Sequence, residues 1–417
     1  MKVLVISVRG LHAGYLGCYG NEWIETPTLD SLASEGVVFD QHFADQPEPQ
    51  AARRSWRSGR YGFGPRSHPG PLIVEGAKDL LAILRHAGVA THLVVDSSRP
   101  SPLEFQQGWD NVTIVESQAM ESSLEASLSA TVHELDGLFA KENWLVWVDL
   151  ATLVPPWNVP EEYVSPYFEV EQVTEEEQEP GDHTAVPLQP VFDPQPGVLP
   201  TNDDEILDRL RYSYASAVTF FDAGLEALIE ELGNLGLGDE IVFVLTSDHG
   251  VPLGEHGAIG AHRPWLHDEL IHLPLLLSLP RNNDDVGRRV SAITQSCDLM
   301  PTLLELFGQP IPPEIQGRSL LPLARGEATA IRSNACSGLE LNGGVEYALR
   351  TPEWVYLLPI RVPEGDPPRG PQLYAKPEDR WEANNLIQHH PEMAESFDRT
   401  LRELIDPTSS CTKEHPE

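Results

Sequence analysis

The sequence predicts an α/β protein in which a large domain, built on a buried β-sheet, precedes a smaller α+β domain. Along residues 1–327, short runs of apolar and β-branched residues alternate with amphipathic helical segments, as in sheets that helices cover. From about residue 328 the pattern changes to short strands separated by turn residues, followed by one helix. We therefore place the two domains at residues 1–327 and 328–417.

Composition and charge exclude several classes of partner. The chain has 417 residues and a net charge of −36, with 64 acidic and 28 basic residues. Such a surface repels nucleic acid and anionic membranes, and no apolar run approaches the roughly 20 residues that span a bilayer. The four cysteines are far apart and lack metal-binding spacing, and no export signal precedes the first strand-like run. We therefore expect a cytoplasmic protein that binds neither nucleic acid nor membranes.

Apolar runs predict the strands of the large domain. The clearest run, IVFVLT at residues 241–246, ends abruptly in the sequence SDHG. Because open α/β sheets bind ligands beyond the carboxyl ends of their strands, Asp248 and His249 are placed where a site is expected. A solvated strand-end acid and a hydrogen-bonded histidine are the structural alternative. The other predicted strands of this domain are Lys2 to Val8, Val37 to Phe39, Thr91 to Val95, Trp144 to Leu150 and Leu273 to Leu279.

Capping residues and three-to-four-residue periodicity predict the helices. The longest starts at Asp203 or Asp204, ends at Gly233 and repeats apolar residues every three or four positions. Between residues 152 and 201 the chain is rich in proline and acidic residues, which predicts a long, partly disordered surface excursion. The other predicted helices open at Thr26-Pro27, at Pro49 and after Asp298, or extend from Ala77 to His86, from Glu121 to Lys141 and from about Pro391 to Ile405.

A series of short strings resembles the sulfatase family of the alkaline-phosphatase superfamily. The strings include VLVISV, LGCYGN, TPTLDSLASEGVVF, SGRYG, FVLTSDHG, LGEHG and DLMPTLLELFG, and the matching region extends from residue 3 to about residue 405. The resemblance implies a large mixed central β-sheet sandwiched by helices and a smaller C-terminal α+β domain. It also implies sulfate ester hydrolysis with a calcium ion, a formylglycine made from cysteine or serine, and a ring of lysine, histidine and arginine.

Most positions that the resemblance assigns to catalysis carry unsuitable residues. Arg9 and Gly10 stand where the family has two metal-binding aspartates after the first strand. Counting back ten residues from Gly59 in SGRYG puts Pro49 at the nucleophile, and proline cannot become formylglycine. The other vacated family positions are Asp96, Ser98, Val154 and Ala261.

Three family positions keep their expected residue. Arg53 is the arginine of the nucleophile motif, and Asp248 and His249 keep the pattern of metal ligands. One aspartate and one imidazole do not supply the six to eight oxygen ligands that calcium prefers, so we expect no cofactor. We hypothesise that Arg9 replaces the charge of the ion and pairs with Asp248. The structural alternative is that Arg53 holds a carbonyl or an acid and that His249 is a hydrogen-bonded strand-end residue.

These substitutions predict a catalytically inactive sulfatase-like protein that keeps its fold and cleft for binding a ligand or a partner protein. The alternative is a divergent sulfuric or phosphoric ester hydrolase with calcium in a rebuilt site and a sulfate ester as substrate. Its nucleophile and metal ligands would come from Ser97, Ser98 or the histidines after Gly254. Two further options are a nucleophilic Ser55 and a new metal site formed by His256, His262, His267 and Asp268.

Overall fold

The computed structural model describes residues 1–63, 79–96, 101–116, 120–168, 188–199, 204–280 and 287–405. Within these residues the backbone forms a nine-stranded sheet, a four-stranded sheet and a two-stranded ribbon. Helices cover the large sheet, and the four-stranded sheet lies in the C-terminal part of the chain. The predicted α/β fold with a mixed central sheet and a small C-terminal α+β domain is confirmed. No helix in the described ranges is long and apolar enough to cross a membrane.

The strands of the large sheet follow the spatial order β11-β2-β10-β7-β1-β5-β3-β4, with β9 paired to β2. Most neighbours are parallel, whereas β10 is antiparallel to both β7 and β2, which makes the sheet mixed. The strands are β1 (Lys2–Val8), β2 (Val37–Phe43), β3 (Ala90–Asp96), β4 (Asn111–Val115), β5 (Trp144–Leu150), β6 (Gly197–Val198), β7 (Val242–Thr246), β8 (Ala258–Ile259), β9 (His272–Leu273), β10 (Leu275–Ser278), β11 (Arg288–Gln295), β12 (Ala335–Leu341), β13 (Gly344–Arg350), β14 (Trp354–Arg361) and β15 (Gln372–Ala375).

Apolar side chains on both faces of the large sheet form two separate cores. One core joins the sheet to α1, α5 and α7, and the other joins it to α2, α3, α9 and α10. Burial on both faces explains why the central strands read as continuous apolar runs. The helices are α1 (Pro27–Glu35), α2 (Pro49–Ser58), α3 (Leu80–His86), α4 (Leu103–Gln106), α5 (Met120–Leu138), α6 (Glu161–Phe168), α7 (Asp204–Asn234), α8 (Asp268–Ile271), α9 (Leu299–Leu306), α10 (Leu321–Ala324) and α11 (Pro391–Ile405).

The parallel strands β5, β1 and β7 bring their carboxyl ends to one edge of the sheet. In this register Ser7 of β1 lies opposite Asp149 of β5 on one side and Thr246 of β7 on the other. Chain segments that follow these strands therefore meet at the same edge, which is where open α/β sheets bind ligands.

The C-terminal domain is an antiparallel sheet, β12-β13-β14-β15, with α11 packed on it. The sheet begins at Ala335, and the domain boundary at residue 328 stays a prediction. Hydrogen bonds and ion pairs from Arg350 and Lys376 tie this domain to α8 of the large domain. The relation between the two domains is therefore fixed by charged side chains as well as by apolar packing.

Several elements differ from the expectations of the sequence. The strands β4 and β11 were not expected, and Pro274 divides the run at residues 273–279 between β9 and β10. The ends of the predicted surface excursion pack on the large domain, because Trp157 is fully buried against Tyr214 and α6 lies on α7. The middle of the excursion, at residues 169–187, and the acidic tail, at residues 406–417, lie outside the described residues.

Candidate functional site

Arg53 is the hub of a buried ionic centre at the carboxyl edge of the sheet. Its side chain is 0% exposed, and Nε and Nη2 donate to the two oxygens of Asp149 at 2.9 and 2.6 Å. Its Nη1 donates to Oδ2 of Asp248 at 2.8 Å and to the carbonyl oxygen of Pro49 at 2.7 Å. Burial alone lowers the pKa of Arg53, but the two carboxylates raise it overall. Arg53 therefore holds two acids, as the structural alternative from the sequence requires.

Asp149 is a member of this centre that sequence reasoning missed. It lies at the end of β5, where Ser7 donates to its Oδ1 at 2.9 Å and Ser101 donates to its Oδ2. Burial alone raises the pKa of Asp149, but the charges of Arg53 and Arg9 lower it overall. Asp149 is therefore an ionised structural partner of Arg53. A lone acid inside the apolar run WLVWVDL is the sequence signal that marks it.

Asp248 and His249 follow β7 and complete the other side of the centre. Asp248 is fully buried, and its Oδ1 lies 3.6 Å from Nε2 of His249. The ring of His249 also bonds through Nδ1 to the carbonyl oxygen of Gly250 at 2.8 Å. Burial alone raises the pKa of Asp248, but His249, Arg53 and Arg9 lower it overall. Both residues lie at the site that the sequence predicted, held by protein partners.

Arg9 brings a second guanidinium to the centre. Its side chain is only 11% exposed, and its Nη2 lies 3.8 Å from Oδ2 of Asp149. Its charge also lowers the pKa of Asp248, although Arg53 is the residue that hydrogen-bonds Asp248. Two guanidiniums thus face two carboxylates, which balances the formal charge of these four side chains.

The position of the family nucleophile lies at the first turn of α2. Pro49 occupies this first turn, where its fixed φ and missing N–H are tolerated. The carboxylate of Glu48 caps the helix by accepting from the backbone amides of Gln50 and Ala51 at 3.3 and 2.9 Å. Backbone amides at a helix N-terminus are an anion-binding site, and in α2 they already bind an internal carboxylate.

Gly10 shows that the backbone itself differs from a metal site with two aspartates. The residue has a φ of +75°, and its carbonyl oxygen accepts from the Tyr214 hydroxyl at 2.6 Å. A Cβ atom at Gly10 would lie 2.9 Å from the carbonyl oxygen of Leu153. Any side chain at this position would require a left-handed residue and a shift of the neighbouring loop. An aspartate ligand does not fit here without rearrangement.

These residues do not fit a calcium ion. Calcium requires about six to eight oxygen ligands, whereas Asp149 and Asp248 are both engaged by Arg53. A guanidinium beside the carboxylates would also repel a divalent cation. Among the residues that the structure describes, no group of three or more histidine, cysteine or acidic side chains is arranged to hold a metal ion.

The remaining predicted positions lie on segments beside the ionic centre, elsewhere in the described chain or outside the described residues. Asp96 ends β3 and accepts a hydrogen bond from Ser123, whereas Val154 lies in a turn after β5 and Ala261 is exposed. Ser97 and Ser98 lie outside the described residues. Ser55 is buried in α2, on the helix that carries Arg53.

Two histidines of the suggested new metal site, His256 and His267, have other partners. His256 and His267 stack with their ring centroids 3.9 Å apart, and they bond Glu269 at 2.9 Å and Glu382 at 2.6 Å respectively. Asp268 binds Arg350 and Lys376. These contacts describe an ionic junction between the domains.

A mixed sheet sandwiched by helices, with charged residues gathered beyond the carboxyl ends of its central strands, is the architecture of the alkaline-phosphatase superfamily. Within it, the sequence profile of the Sulfatase family matches residues 2–309. The chain therefore belongs to the sulfatase family.

Known proteins similar to this chain agree with that assignment. Arylsulfatase K from Xenopus laevis is 30% identical over 218 residues, which cover 50% of this chain and 39% of that protein. Iduronate 2-sulfatase from Mus musculus is 23% identical over 392 residues, covering 75% and 70% of the two chains. The crystal structure of the phosphonate monoester hydrolase of Agrobacterium radiobacter superposes with a TM-score of 0.75 over 97% of this chain and 95% of that one, at 19% identity. This chain spans less than half the length of the Arylsulfatase K that it matches.

Proposed function

We propose that this chain is a sulfatase-family protein without ester hydrolase activity, which binds a ligand or a partner protein through its retained fold. The observation that carries the proposal is the bridge from Arg53 to both Asp149 and Asp248 in a fully buried centre. Carboxylates that hold an arginine in this way are not free to bind a metal ion, and the arginine is not free to bind a sulfate group.

The chemistry of ester hydrolysis needs parts that this centre does not supply. A nucleophile is required, and Pro49 has no side-chain nucleophile at the family position. Developing negative charge on a sulfate or phosphate group requires preorganised donors or cations. Here Arg9 and Arg53 face internal carboxylates, and the amides at the start of α2 bind Glu48. These three sets of donors, which could favour an anionic transition state, therefore have partners inside the protein.

One observation favours the alternative of a divergent sulfuric or phosphoric ester hydrolase. The hydroxyl of Ser101 donates to Asp149 within the centre, which resembles a nucleophile beside a base. However, Ser101 is 2% exposed, and the lowered pKa of Asp149 makes this carboxylate a weak base. Burial of Ser101 and the charge of Arg53 therefore both oppose this second function.

Metal content and ester turnover test the proposal together. We expect elemental mass spectrometry to find no stoichiometric calcium, zinc or manganese in the wild type or in Asp248→Ala. We also expect no turnover of aryl sulfates, aryl phosphates or aryl phosphonates. One metal ion per wild-type chain that is lost in Asp248→Ala together with turnover would overturn the proposal, and it would establish the hydrolase with a rebuilt site. Turnover that is lost in Ser101→Ala without any metal would identify Ser101 as the nucleophile.

Cellular location and partner class belong to the same proposal. We infer that the protein acts in the cytoplasm, in agreement with its widely spaced cysteines, of which Cys18, Cys297 and Cys336 are free thiols. Cell fractionation followed by immunodetection tests this location. The net charge of −36 disfavours nucleic acid, so the proposed partner is a protein or a small molecule.

A further inference from the structure

A cavity of about 1200 Å³ lies between the two domains, apart from the ionic centre. Its walls come from the loop after β1, the middle of β2, the first turns of α7, the segment at residues 255–272 and the C-terminal sheet. Among the described lining residues, none is Arg9, Arg53, Asp149 or Asp248. Its volume exceeds the roughly 300–1,000 Å³ that is usual for pockets with drug-sized ligands. The cavity therefore has room for a ligand of several linked units.

Aromatic rings lie on two sides of this interdomain cavity. On the large-domain side, Trp23 packs edge to face on Tyr15 and Tyr212, with ring centroids 6.0 and 5.9 Å apart. On the C-terminal side stands Trp381, with Arg380 over its ring at 5.2 Å. The two tryptophans are 47% and 66% exposed, which is unusual for such large apolar side chains. Exposed flat rings that line a concave surface are typical of ligand sites.

Two buried donors of the lining have no hydrogen-bond partner in the described part of the chain. Nδ1 of His12 accepts from the backbone amide of Gly14 at 2.9 Å, so the neutral ring carries its proton on Nε2. This Nε2 has no acceptor among the described residues, and the same holds for Nη1 of Arg350. A buried donor without a partner costs free energy, and a ligand oxygen or an ordered water removes that cost.

The charged residues of the lining are close to balance. Asp268 and Glu382 both bind Arg350 and Lys376, and Glu269 binds His256. Asp40 binds Arg289, which lies outside the cavity. The other charged lining residues in the described ranges are Asp208, Glu255, Arg211 and Arg380, two acids and two bases. This balance gives no net attraction for an anion such as a sulfated ligand, nor for a simple cation.

We propose that the interdomain cavity binds a neutral, unsulfated oligosaccharide. Sugar hydroxyls both donate and accept, which suits a lining that contains carboxylates, guanidiniums and the His12 Nε2–H. The C–H faces of sugar rings are apolar and pack on flat aromatic rings such as Trp23 and Trp381. The ligand is not anionic, because the described lining has six acids against Arg211, Arg350, Lys376, Arg380 and His256, and it is not strongly cationic, because the excess is a single acid. This inference deepens the proposed function and rests on it, since it names the ligand of a protein that binds without hydrolysing.

Binding of neutral tetrasaccharides tests the inference directly. The probes are tetrasaccharides of glucose, galactose, mannose, xylose and N-acetylglucosamine, with a heparin-derived sulfated tetrasaccharide for comparison, measured by calorimetry on the full chain. We expect at least one neutral probe to bind, and to bind more tightly than the sulfated one. Trp381→Ala and Trp23→Ala should each weaken that binding by about tenfold or more, which corresponds to about 1.4 kcal/mol.

The matched control is Phe139→Ala, which removes an aromatic ring that is 52% exposed and lies outside the lining. It should leave binding unchanged. The inference is overturned if no neutral probe binds, if the sulfated probe binds more tightly, or if both tryptophan variants bind like the wild type. Ester turnover by the same wild-type preparation would overturn the proposed function alone, so the two failures are distinguishable.

Discussion

The ionic centre and the interdomain cavity are both polar, but they differ in the kind of group left unpaired: within the described residues an acceptor of the centre, Oδ1 of Asp248, has no hydrogen bond, whereas in the cavity two donors have none. In the centre, Asp149 and Asp248 both hydrogen-bond the guanidinium of Arg53, and all three side chains are 0% exposed. In the cavity, Nε2 of His12 and Nη1 of Arg350 lack partners within the described residues, and two tryptophans are exposed. The centre lies where the family resemblance implies the catalytic site, whereas the cavity is lined by different residues.

Under the two proposals made above, this difference separates a centre that serves stability from a cavity that serves binding. A buried charge is stable only with a partner, so the carboxylates of the centre need internal partners where no metal ion is bound. Arg9 and Arg53 fill that need, and they leave no free charge for a ligand. Unsatisfied donors persist where a ligand or water satisfies them. Recognition is therefore expected at the cavity, and structural stabilisation at the centre.

The largest expected effect is the loss of stability when Arg53 is replaced. Arg53→Met leaves Asp149 and Asp248 buried with only Arg9 as a nearby guanidinium. Removing one partner of a buried ion pair typically costs about 3–5 kcal/mol, so we expect a loss of that size in the free energy of unfolding. Urea denaturation at neutral pH measures it.

The matched control for this prediction is Arg54→Met on the same helix. Arg54 binds Glu104 at 3.0 Å, but the two side chains are 26% and 28% exposed. Partly exposed pairs are screened by water, so we expect a loss of at most about 1 kcal/mol. Equal losses in the two variants would contradict the view that the centre is a structural ionic lock.

Much of the fold could be predicted because buried strands are continuous apolar runs. The predicted bounds of β1 and β5 agree with the observed strands Lys2–Val8 and Trp144–Leu150. The missed strands β4 and β11 lack such a run, because β4 is short and mostly exposed or half-exposed, and β11 (RRVSAITQ) mixes charged and polar residues with apolar ones. Apolar content alone does not reveal strands of that kind; their pairing with β3 and β2 does.

The candidate site could be predicted only where a motif keeps its residues together. Asp248 and His249 are adjacent in SDHG, and Arg53 keeps its place before SGRYG. Asp149 was missed because its ion pair joins residues far apart in the chain. The cavity was missed for the same reason, since His12 and Trp381 come together only through the docking of the two domains. For long-range contacts of this kind the sequence holds at most an indirect signal, such as the lone acid in WLVWVDL, which does not identify the partner.

The next largest expected effect is a loss of stability at acidic pH that comes from His12 in the interdomain cavity, at higher pH than any loss from the ionic centre. Burial lowers the pKa of His12 from 6.5 to about 4, although Glu269 opposes the shift. Because the folded state disfavours the protonated ring, the contribution of His12 to stability is full above about pH 6.5 and declines as the pH falls towards 4. His12→Asn keeps an acceptor for Gly14 and removes this titration. Relative to the variant, the wild type should lose about 3 kcal/mol between about pH 7 and pH 4, measured by urea denaturation.

The ionic centre should respond in a lower pH range. The pKa values of Asp149 and Asp248 lie below the usual 3.8. The two carboxylates therefore contribute fully to the free energy of unfolding above about pH 3.8, and this contribution is lost as the pH falls below 3.8. His42 is also buried, with its pKa lowered to about 3, but it is common to the wild type and His12→Asn and cancels in their difference. If the difference in the free energy of unfolding between the wild type and His12→Asn stays constant from pH 7 to about pH 4, His12 is not buried in its uncharged form.

The smallest effect concerns the start of α2, where the carboxylate of Glu48 binds the backbone amides. Glu48→Ala frees the amides of Gln50 and Ala51, and the loss of this cap should cost about 1 kcal/mol in the free energy of unfolding. Glu48→Gln keeps an oxygen acceptor and should lose less.

The freed amides of Glu48→Ala should then accept an external anion. We expect sodium sulfate to raise the melting temperature of Glu48→Ala more than that of the wild type, relative to sodium chloride at equal ionic strength. If sulfate stabilises the two proteins equally, removal of Glu48 does not open an anion-binding site at the α2 amides. A larger effect in the variant would mean that one internal carboxylate keeps this helix terminus closed to anions, as the bridge from Arg53 keeps the carboxylates closed to cations.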